Sequence, residues 1–387
     1  MFLEYFTFDF SELQLVLSAA LLFVFAVQMF YYLFYFAKIL YYSRKKRKNK
    51  IDFSAETPPV SVVVYSKNES ENLEKFLPSF LTQNYPKYQI IVVNDGSTDE
   101  SDSILQKFSR EYPHLYRTFL PIEALHISTK KMCLTVGIKA AKYDIVLFSN
   151  ADCSVDGEWL RSMMKNYTSG TEIVLGYATY AYKKTFADKW ISFNLLFGAI
   201  QFMSMALKKR TYMSAGQNLS YRKELFFKNK GFAAHLALPT GEDDLFVRDI
   251  ATRRNVRVEV SPESTVQINT KYSFKNWRNI KENTFYTTRY YRENIKIFKG
   301  VEMLSRFAFY TLLALVAVFG NLTLWVSVAS LFLLRYLTQL IVINRTAKQL
   351  GERKFYLTVI VFDIVMPTYF LFIKIFRRQG KRAFIGR

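Results

Sequence analysis

An α/β domain built on a mostly parallel sheet, with transmembrane helices before and after it, is the architecture this sequence predicts, on three observations. In the middle of the chain, short β-branched and apolar runs alternate with segments of helical spacing, the pattern of strands laid parallel by helical crossovers. Two of those runs end in acidic residues, Asp95 and Asp152, at what would be the carboxyl edge of the sheet, where open α/β sheets bind ligands. The long apolar stretches lie towards the two ends of the chain.

Half of the 387 residues are hydrophobic and 17% are aromatic, including 36 Phe and 26 Tyr, enough for one large catalytic domain plus membrane segments. The formal net charge of +21 suits nucleic acid or an anionic membrane surface, and its placement decides between them. The densest run, Arg44, Lys45, Lys46, Arg47, Lys48 and Lys50, directly follows an apolar segment, as a cytoplasmic flank does. Membrane lipids are therefore the expected partner, and nucleic acid is not. Cys133 and Cys153 have neither metal-ligand spacing nor the number for a disulfide framework, which fits a reduced, cytoplasmic middle.

Residues 13–39 are almost continuously apolar and aromatic, and can cross a hydrocarbon core of about 30 Å. Glu4, Asp9 and Glu12 precede them and the basic run follows, the reverse of a secretory signal. The segment is expected to stay attached with its amino end outside. The expected organisation is an anchor over residues 1–43, a basic linker over 44–59 that closes on Pro58-Pro59, a catalytic domain over 60–300 and a membrane region over 301–387.

Within the catalytic domain, Val60 to Tyr65 and Ile90 to Val93 predict strands, and Glu71 to Leu81 and Asp99 to Phe108 predict helices. Asn94-Asp95-Gly96-Ser97-Thr98-Asp99 ends the second strand in a tight turn, with Ser97 or Thr98 set to cap the next helix. Ile145 to Cys153 reads as a buried strand that ends in Asn150, Ala151 and Asp152. A carboxylate there, with a second acidic cluster at Glu242, Asp243 and Asp244, is the arrangement needed to clamp a diphosphate through a divalent ion and deprotonate an acceptor opposite it. Phe186 to Leu207 is long and apolar, but it holds Asp188, Lys189, Asn194 and Gln201, and a crossing there would put a bilayer between Asp152 and Asp243. A helix packed on the domain or lying in the interface is expected instead.

Several of these segments together resemble successive motifs of the family 2 glycosyltransferases. They are Val-Ser-Val-Val-Val-Tyr-Ser-Lys-Asn-Glu at 60–69, Val-Val-Asn-Asp-Gly-Ser-Thr-Asp at 92–99, Lys130 ahead of Leu134 to Ile138, Asn-Ala-Asp at 150–152, Gly216 to Arg222, and Gly-Glu-Asp-Asp-Leu at 241–245. The resemblance covers roughly Val60 to Tyr291 and implies a GT-A fold, Rossmann-like with a mostly parallel sheet, a nucleotide-sugar donor such as a UDP-sugar, Mg2+ or Mn2+, and inversion at the anomeric carbon. Residue by residue, it puts Asp95 on the donor's nucleobase, where a carboxylate can accept from the ring N–H of uracil. It puts Lys130 near the donor and makes Asp152 the metal-binding second acid of an Asp-x-Asp motif whose first position is Asn150. It selects Asp243 as the base, with Glu242 and Asp244 positioning; repulsion among the three acids would raise the proton affinity of one of them. The family's Gln-x-x-Arg-Trp segment falls at Trp277 to Thr284, where Ile280 and Asn283 stand in place of its Gln and Arg. Lys281 is retained there as a substrate-binding candidate, and Arg289 or Arg292 is a candidate for the diphosphate.

Three apolar stretches follow, Leu304 to Phe319, Leu322 to Ile343 and Phe355 to Phe376, the first two joined by Gly320-Asn321 as a helical hairpin. Arg335 is expected to face protein or to snorkel. The loop with Arg345, Lys348, Arg353 and Lys354 and the tail from Lys374 to Arg387 both favour the cytoplasmic side, so the third stretch, with Asp363 and Pro367, is spanning, re-entrant or interfacial. The expectation is an inverting transferase anchored in a bacterial inner (plasma) membrane, its catalytic domain cytoplasmic and its acceptor membrane-associated, lipid-linked or glycan. The alternatives are a processive polysaccharide synthase of the cell envelope and a catalytically degenerate membrane scaffold.

Overall fold

The computed structural model describes residues 11–120, 129–182 and 184–376; Glu4, Asp9 and the basic tail from Arg377 lie outside them. The chain enters on a long helix. Helix α1 (Glu12–Phe30) starts at a capping box made by Ser11 and Gln14, and a π-helical turn at Tyr31–Phe36 carries it into α2 (Lys38–Arg47). The basic run begins on this helix, with Arg44 to Arg47 in the last turn of α2, where the helix dipole favours cations. Lys46 pairs there with the buried carboxylate of Glu259, which ties the helix to the α/β domain.

The domain follows as β1 (Val60–Ser66), α3 (Ser70–Leu81), β2 (Tyr88–Asp95), α4 (Ser101–Glu111), β3 (Leu115–Leu120), α5 (Thr129–Ala140) and β4 (Ile145–Asn150). Strands β3, β2, β1 and β4 lie parallel in that spatial order. The β1 run is apolar on both faces because both are covered: Val60, Val62 and Val64 pack with Leu73, Leu77 and Phe80, whereas Val63 packs with Cys133, Leu134 and Ile138. Ser97 and Thr98 do not cap α4, which has no side-chain cap. They tie the turn after β2 to the turn after β1: the Ser97 hydroxyl accepts from the Asn68 N–H at 2.8 Å, and the Asn68 carboxamide oxygen accepts from the Thr98 N–H at 2.9 Å.

The next elements are β5 (Cys153–Ser154), α6 (Trp159–Met164), β6 (Ile173–Leu175), β7 (Ala178–Tyr180), α7 (Phe186–Leu207), β8 (Leu219–Arg222), α8 (Lys223–Lys228), α9 (Leu245–Ile250), β9 (Val256–Val258) and β10 (Val266–Ile268). Strand β8 adds antiparallel to β4, and β6 and β9 complete a seven-stranded sheet; β5, β10 and β7 form a small second sheet. Helix α7 is long and apolar enough to cross a membrane, yet 78% of its most apolar window is buried, against 11% for the helix over Glu12–Arg47. It is enclosed by protein, Trp190 packing edge-on to Phe362 and Tyr369, and Phe193 to Phe355. A helix apolar all round is a buried helix.

The chain closes with α10 (Phe274–Thr288), α11 (Glu293–Phe319), α12 (Leu322–Gln349) and α13 (Leu357–Phe376). Both α11 and α12 are long and apolar enough to span a bilayer, while the apolar part of α13 is shorter. Asn321 caps α12 by accepting from the Leu324 N–H at 3.0 Å, which makes the turn after α11. Arg335 faces protein and does not snorkel: its guanidinium reaches Asp363 at 2.7 Å, the Gln28 side-chain oxygen at 2.8 Å and the Tyr310 hydroxyl at 3.1 Å. Helix α13 runs unbroken through Pro367.

Candidate active site

The parallel order puts the carboxyl ends of β2 and β4 on either side of β1, at the point where the crossovers diverge. Asp95, the last residue of β2, is buried there. The Tyr65 hydroxyl of β1 donates to its Oδ2 at 2.7 Å, and the Lys67 ammonium lies 3.2 Å from the same oxygen. Gly96 follows with φ +57°, the left-handed turn that lets the chain leave the strand at once. Across β1, Asn150 sits opposite Tyr65 in the register, and Asp152 is buried just beyond it, after Ala151. The Asp152 carboxylate accepts from the Cys153 thiol at 3.4 Å, and its backbone carbonyl from the Asn269 N–H at 2.9 Å. Both cysteines are free and buried.

Lys130, in the first turn of α5, bridges this edge to the acidic cluster. Its ammonium lies 3.3 Å from Glu242 Oε1 and 5.6 Å from the centre of the Tyr65 ring. Burial opposes its charge, but Glu242, Asp243 and Asp152 together outweigh that and hold its pKa above the ordinary lysine value. Asp95, Asp152, Lys130, Glu242 and Asp243 therefore share one electrostatic neighbourhood.

Asp243 and Asp244 are adjacent and differently occupied. Asp244 is buried and committed to protein donors: it takes the Leu245 N–H as the cap of α9, the Thr287 hydroxyl of α10, and the Tyr291 hydroxyl at 2.8 Å. Asp243 is partly exposed. Enclosure by protein, followed by the negative charges of Glu242 and Asp244, pushes its carboxyl up to about 8 against the pull of Lys130. Its backbone carbonyl accepts from the Ser214 N–H at 3.0 Å, and a Cβ added at Gly216 would meet Asp243 Oδ2 at 2.9 Å, so the glycine leaves room for the carboxylate. Lys281 of α10 is coupled to the same group: burial and the charge of Lys299 lower its pKa to about 8, and Asp243 acts in the opposite direction.

Sequence reasoning passed over Tyr65, Lys67 and Lys131. Tyr65 is near the end of β1 and Lys67 directly follows it, and their place at a strand end was the available signal. Lys131 is fully buried and donates to the carbonyls of His235, Leu238 and Thr240 at 2.6, 2.7 and 2.8 Å, fixing the loop that leads into Gly241. Of the arginines considered for the diphosphate, Arg289 stacks on the Tyr286 ring at 3.7 Å and Arg292 donates to the Arg248 carbonyl at 3.1 Å. Ile280 and Asn283 are exposed, while Trp277 is buried against Trp190 and Tyr369.

Among the described residues, no group of three His, Cys, Asp or Glu side chains converges as a metal site. Asp152 and Asn150 offer one carboxylate and one carboxamide, hard oxygen donors. Such a set fits an ion of the Mg2+ type, which is commonly held by one or two carboxylates together with substrate phosphates.

A Rossmann-like sheet with acids at its carboxyl edge, continued by antiparallel strands and an acidic loop opposite, defines a transferase of the GT-A class. The chain belongs to glycosyl transferase family 21, whose profile matches residues 20–377 and whose GT-A-type, family 2-like character accords with the motifs. It is 30% identical over 142 residues to glycosyltransferase AglE of Haloferax volcanii, a match covering 35% of this chain and 45% of that protein. It is also 30% identical over 135 residues to the poly-beta-1,6-N-acetyl-D-glucosamine synthase of Staphylococcus aureus, covering 35% of this chain and 31% of that one. The chain thus spans less than half the length of either relative. Its fold is similar to mannosyltransferase PcManGT from Pyrobaculum calidifontis, solved with GDP-Man and Mn2+, with a TM-score of 0.52, 20% identity and coverage of 86% of this chain and 98% of that one.

Proposed function

We propose that this protein transfers a sugar, with inversion, from a nucleotide-diphosphate donor to a hydroxyl of a membrane-associated, lipid-linked or glycan acceptor on the cytoplasmic face. The observation that carries the proposal is the unlike state of two neighbouring acids: Asp244 is consumed by protein hydrogen bonds, and Asp243 is left reachable with its carboxyl pushed up to about 8. A base with a pKa near neutrality suits proton abstraction from a hydroxyl.

In the reaction, Asp243 takes the acceptor proton while the acceptor oxygen forms its bond to the anomeric carbon. The bond from that carbon to the diphosphate breaks on the opposite face, and the electron pair leaves with the diphosphate. Asp95 accepts from the nucleobase N–H and is itself aligned by Tyr65 and Lys67. Lys130 and Lys281 supply positive charge, and Glu242 holds Lys130 in place. When bound at Asp152 and Asn150, a divalent cation would neutralise charge on the departing diphosphate. The donor class and the ion are also those held by the Pyrobaculum mannosyltransferase. The catalytic unit, roughly residues 60–300, is held at the membrane by the helices before and after it.

The relationship to a polysaccharide synthase favours a second reading, repeated transfer onto a growing glycan. Ile280 and Asn283 in α10 count against it. One experiment tests both: the detergent-purified protein is given a panel of nucleotide sugars, with and without a chelator, and released nucleoside diphosphate and product length are measured. The proposal predicts release from one donor, loss of release on chelation, and addition of a single sugar. Release from no donor would remove the enzymatic reading, full turnover after chelation would remove the metal, and a ladder of products would favour the synthase.

A further inference from the structure

A second feature lies outside the transfer site. Where α7 ends, α9 ends and α11 begins, a cleft of about 270 Å³ is lined by Lys209, Arg210, Thr211, Arg253, Arg292 and Asn294, and no lining residue is acidic. The Lys209, Arg210 and Arg253 side chains have no ion-pair partner among the described residues. The nearest carboxylate in sequence, Glu293, is paired with Lys296 at 2.7 Å. Thr211 is more than nine-tenths buried, lines the cleft, and its hydroxyl makes no hydrogen bond to any described residue. No side chain caps the 27-residue helix α11, whose first turn forms one wall.

The cleft also has a definite place along the molecule. Helix α11 changes within a few turns from Glu-Asn-Ile-Lys-Ile-Phe-Lys-Gly to an apolar sequence long enough to cross a bilayer. Next to the cleft, the Lys208 ammonium lies 5.4 Å from the centre of the Tyr35 ring, and Tyr35 packs at 4.7 Å on Phe298. Tyrosines flanked by lysines mark the boundary between lipid and water.

We propose that this cleft binds the phosphate of an anionic phospholipid head group at the cytoplasmic boundary. The cationic side chains supply the charge, and the Thr211 hydroxyl and the Glu293 and Asn294 N–H groups, which bond no described residue, supply donors. The inference rests on the membrane placement proposed above and not on the transfer chemistry. The cleft is joined to the transfer site through the backbone: three residues after Thr211, the Ser214 N–H donates to the Asp243 carbonyl, and Tyr212 packs at 5.5 Å on Tyr291, which bonds Asp244.

The test is lipid retention by the full-length protein in phosphatidylcholine nanodiscs doped with phosphatidylglycerol, read by native mass spectrometry. Each basic residue near an anionic surface contributes roughly fivefold, so Arg210→Gln with Arg253→Gln is expected to lower phosphatidylglycerol retention roughly 25-fold. Lys107→Gln with Arg110→Gln, an equal charge change at exposed positions of α4, is expected to leave retention unchanged. Thr211→Val, which keeps the charge, is expected to lower retention severalfold with no loss of thermal stability. Equal retention by the two double variants would overturn the proposal, as would displacement of the lipid by inorganic phosphate at concentrations that also saturate the protein in pure phosphatidylcholine. None of these measurements needs turnover, so failure of the transfer reading would leave them interpretable.

Discussion

Two regions of this molecule crowd carboxylates within protein, and they treat them in opposite ways. Between the long helices, Asp363 lies 2.7 Å from the Arg335 guanidinium and 3.4 Å from that of Arg306, takes the Tyr310 hydroxyl at 2.7 Å, and Glu302 balances Arg306. Every charge there has an opposite partner. At the edge of the sheet, Asp243 has two acids as chain neighbours, and its nearby lysine Lys130 is paired with Glu242. The first cluster joins α1, α11, α12 and α13 into one unit. The second holds an uncompensated group where a substrate can reach it, and deprotonating it as pH rises from the ordinary carboxylate range to about 8 works against the fold. The contrast teaches that enclosure alone does not single out a candidate acid; enclosure without a neutralising partner does.

The comparison breaks most visibly in the helices. Asp363→Ala leaves the buried Arg335 guanidinium without its carboxylate, and removing one partner of a buried pair costs about 3–5 kcal/mol. A sharp fall in thermal stability and in monodisperse yield in detergent is expected. Unchanged melting would mean that the cluster contributes little to holding the helices together. At the sheet edge, Gly216→Ala puts a Cβ 2.9 Å from Asp243 Oδ2, so the carboxylate must shift. A misplacement of about 1 Å can reduce rate on the order of 10²-fold. The expected signature is a lower kcat with the donor's KM and the melting temperature nearly unchanged; a parental kcat would show that the base position tolerates displacement. The smallest effect is expected from Asn150→Asp, which adds a carboxylate beside Asp152 and lowers the Mg2+ or Mn2+ concentration for half-maximal activity severalfold. An unchanged metal titration would take position 150 out of the ion's surroundings.

The parallel half of the sheet was legible in the sequence because β1, β2 and β4 are buried on both faces and read as largely apolar runs, two of which lead into acids, Asp95 and Asp152. The antiparallel half was not, since β6, β8 and β9 hold three or four residues each, too few for a period to emerge. Ser97 and Thr98 resemble helix caps locally, and only the approach of Asn68 from the neighbouring turn diverts them. Nothing local separates Asp243 from Asp244, because the groups that occupy Asp244, Thr287 and Tyr291, lie 43 and 47 residues further along the chain. Lys130 and Lys131 are likewise adjacent, but successive residues of a helix point about 100° apart, so one faces the acids and the other the carbonyls behind them.

The claim at the centre of this account is that Asp243 is the base, and the pH dependence of kcat/KM for the parent and Asp243→Asn tests it most directly. Because the carboxyl is pushed up to about 8, its ionised fraction grows with pH up to that point. The parental profile should therefore rise about tenfold per unit below pH ~8 and then level. Asp243→Asn should fall about 10²- to 10⁴-fold, lose that rise, and still bind donor through Asp95 and Asp152. A variant that keeps the parental rate and the parental rise would contradict the assignment.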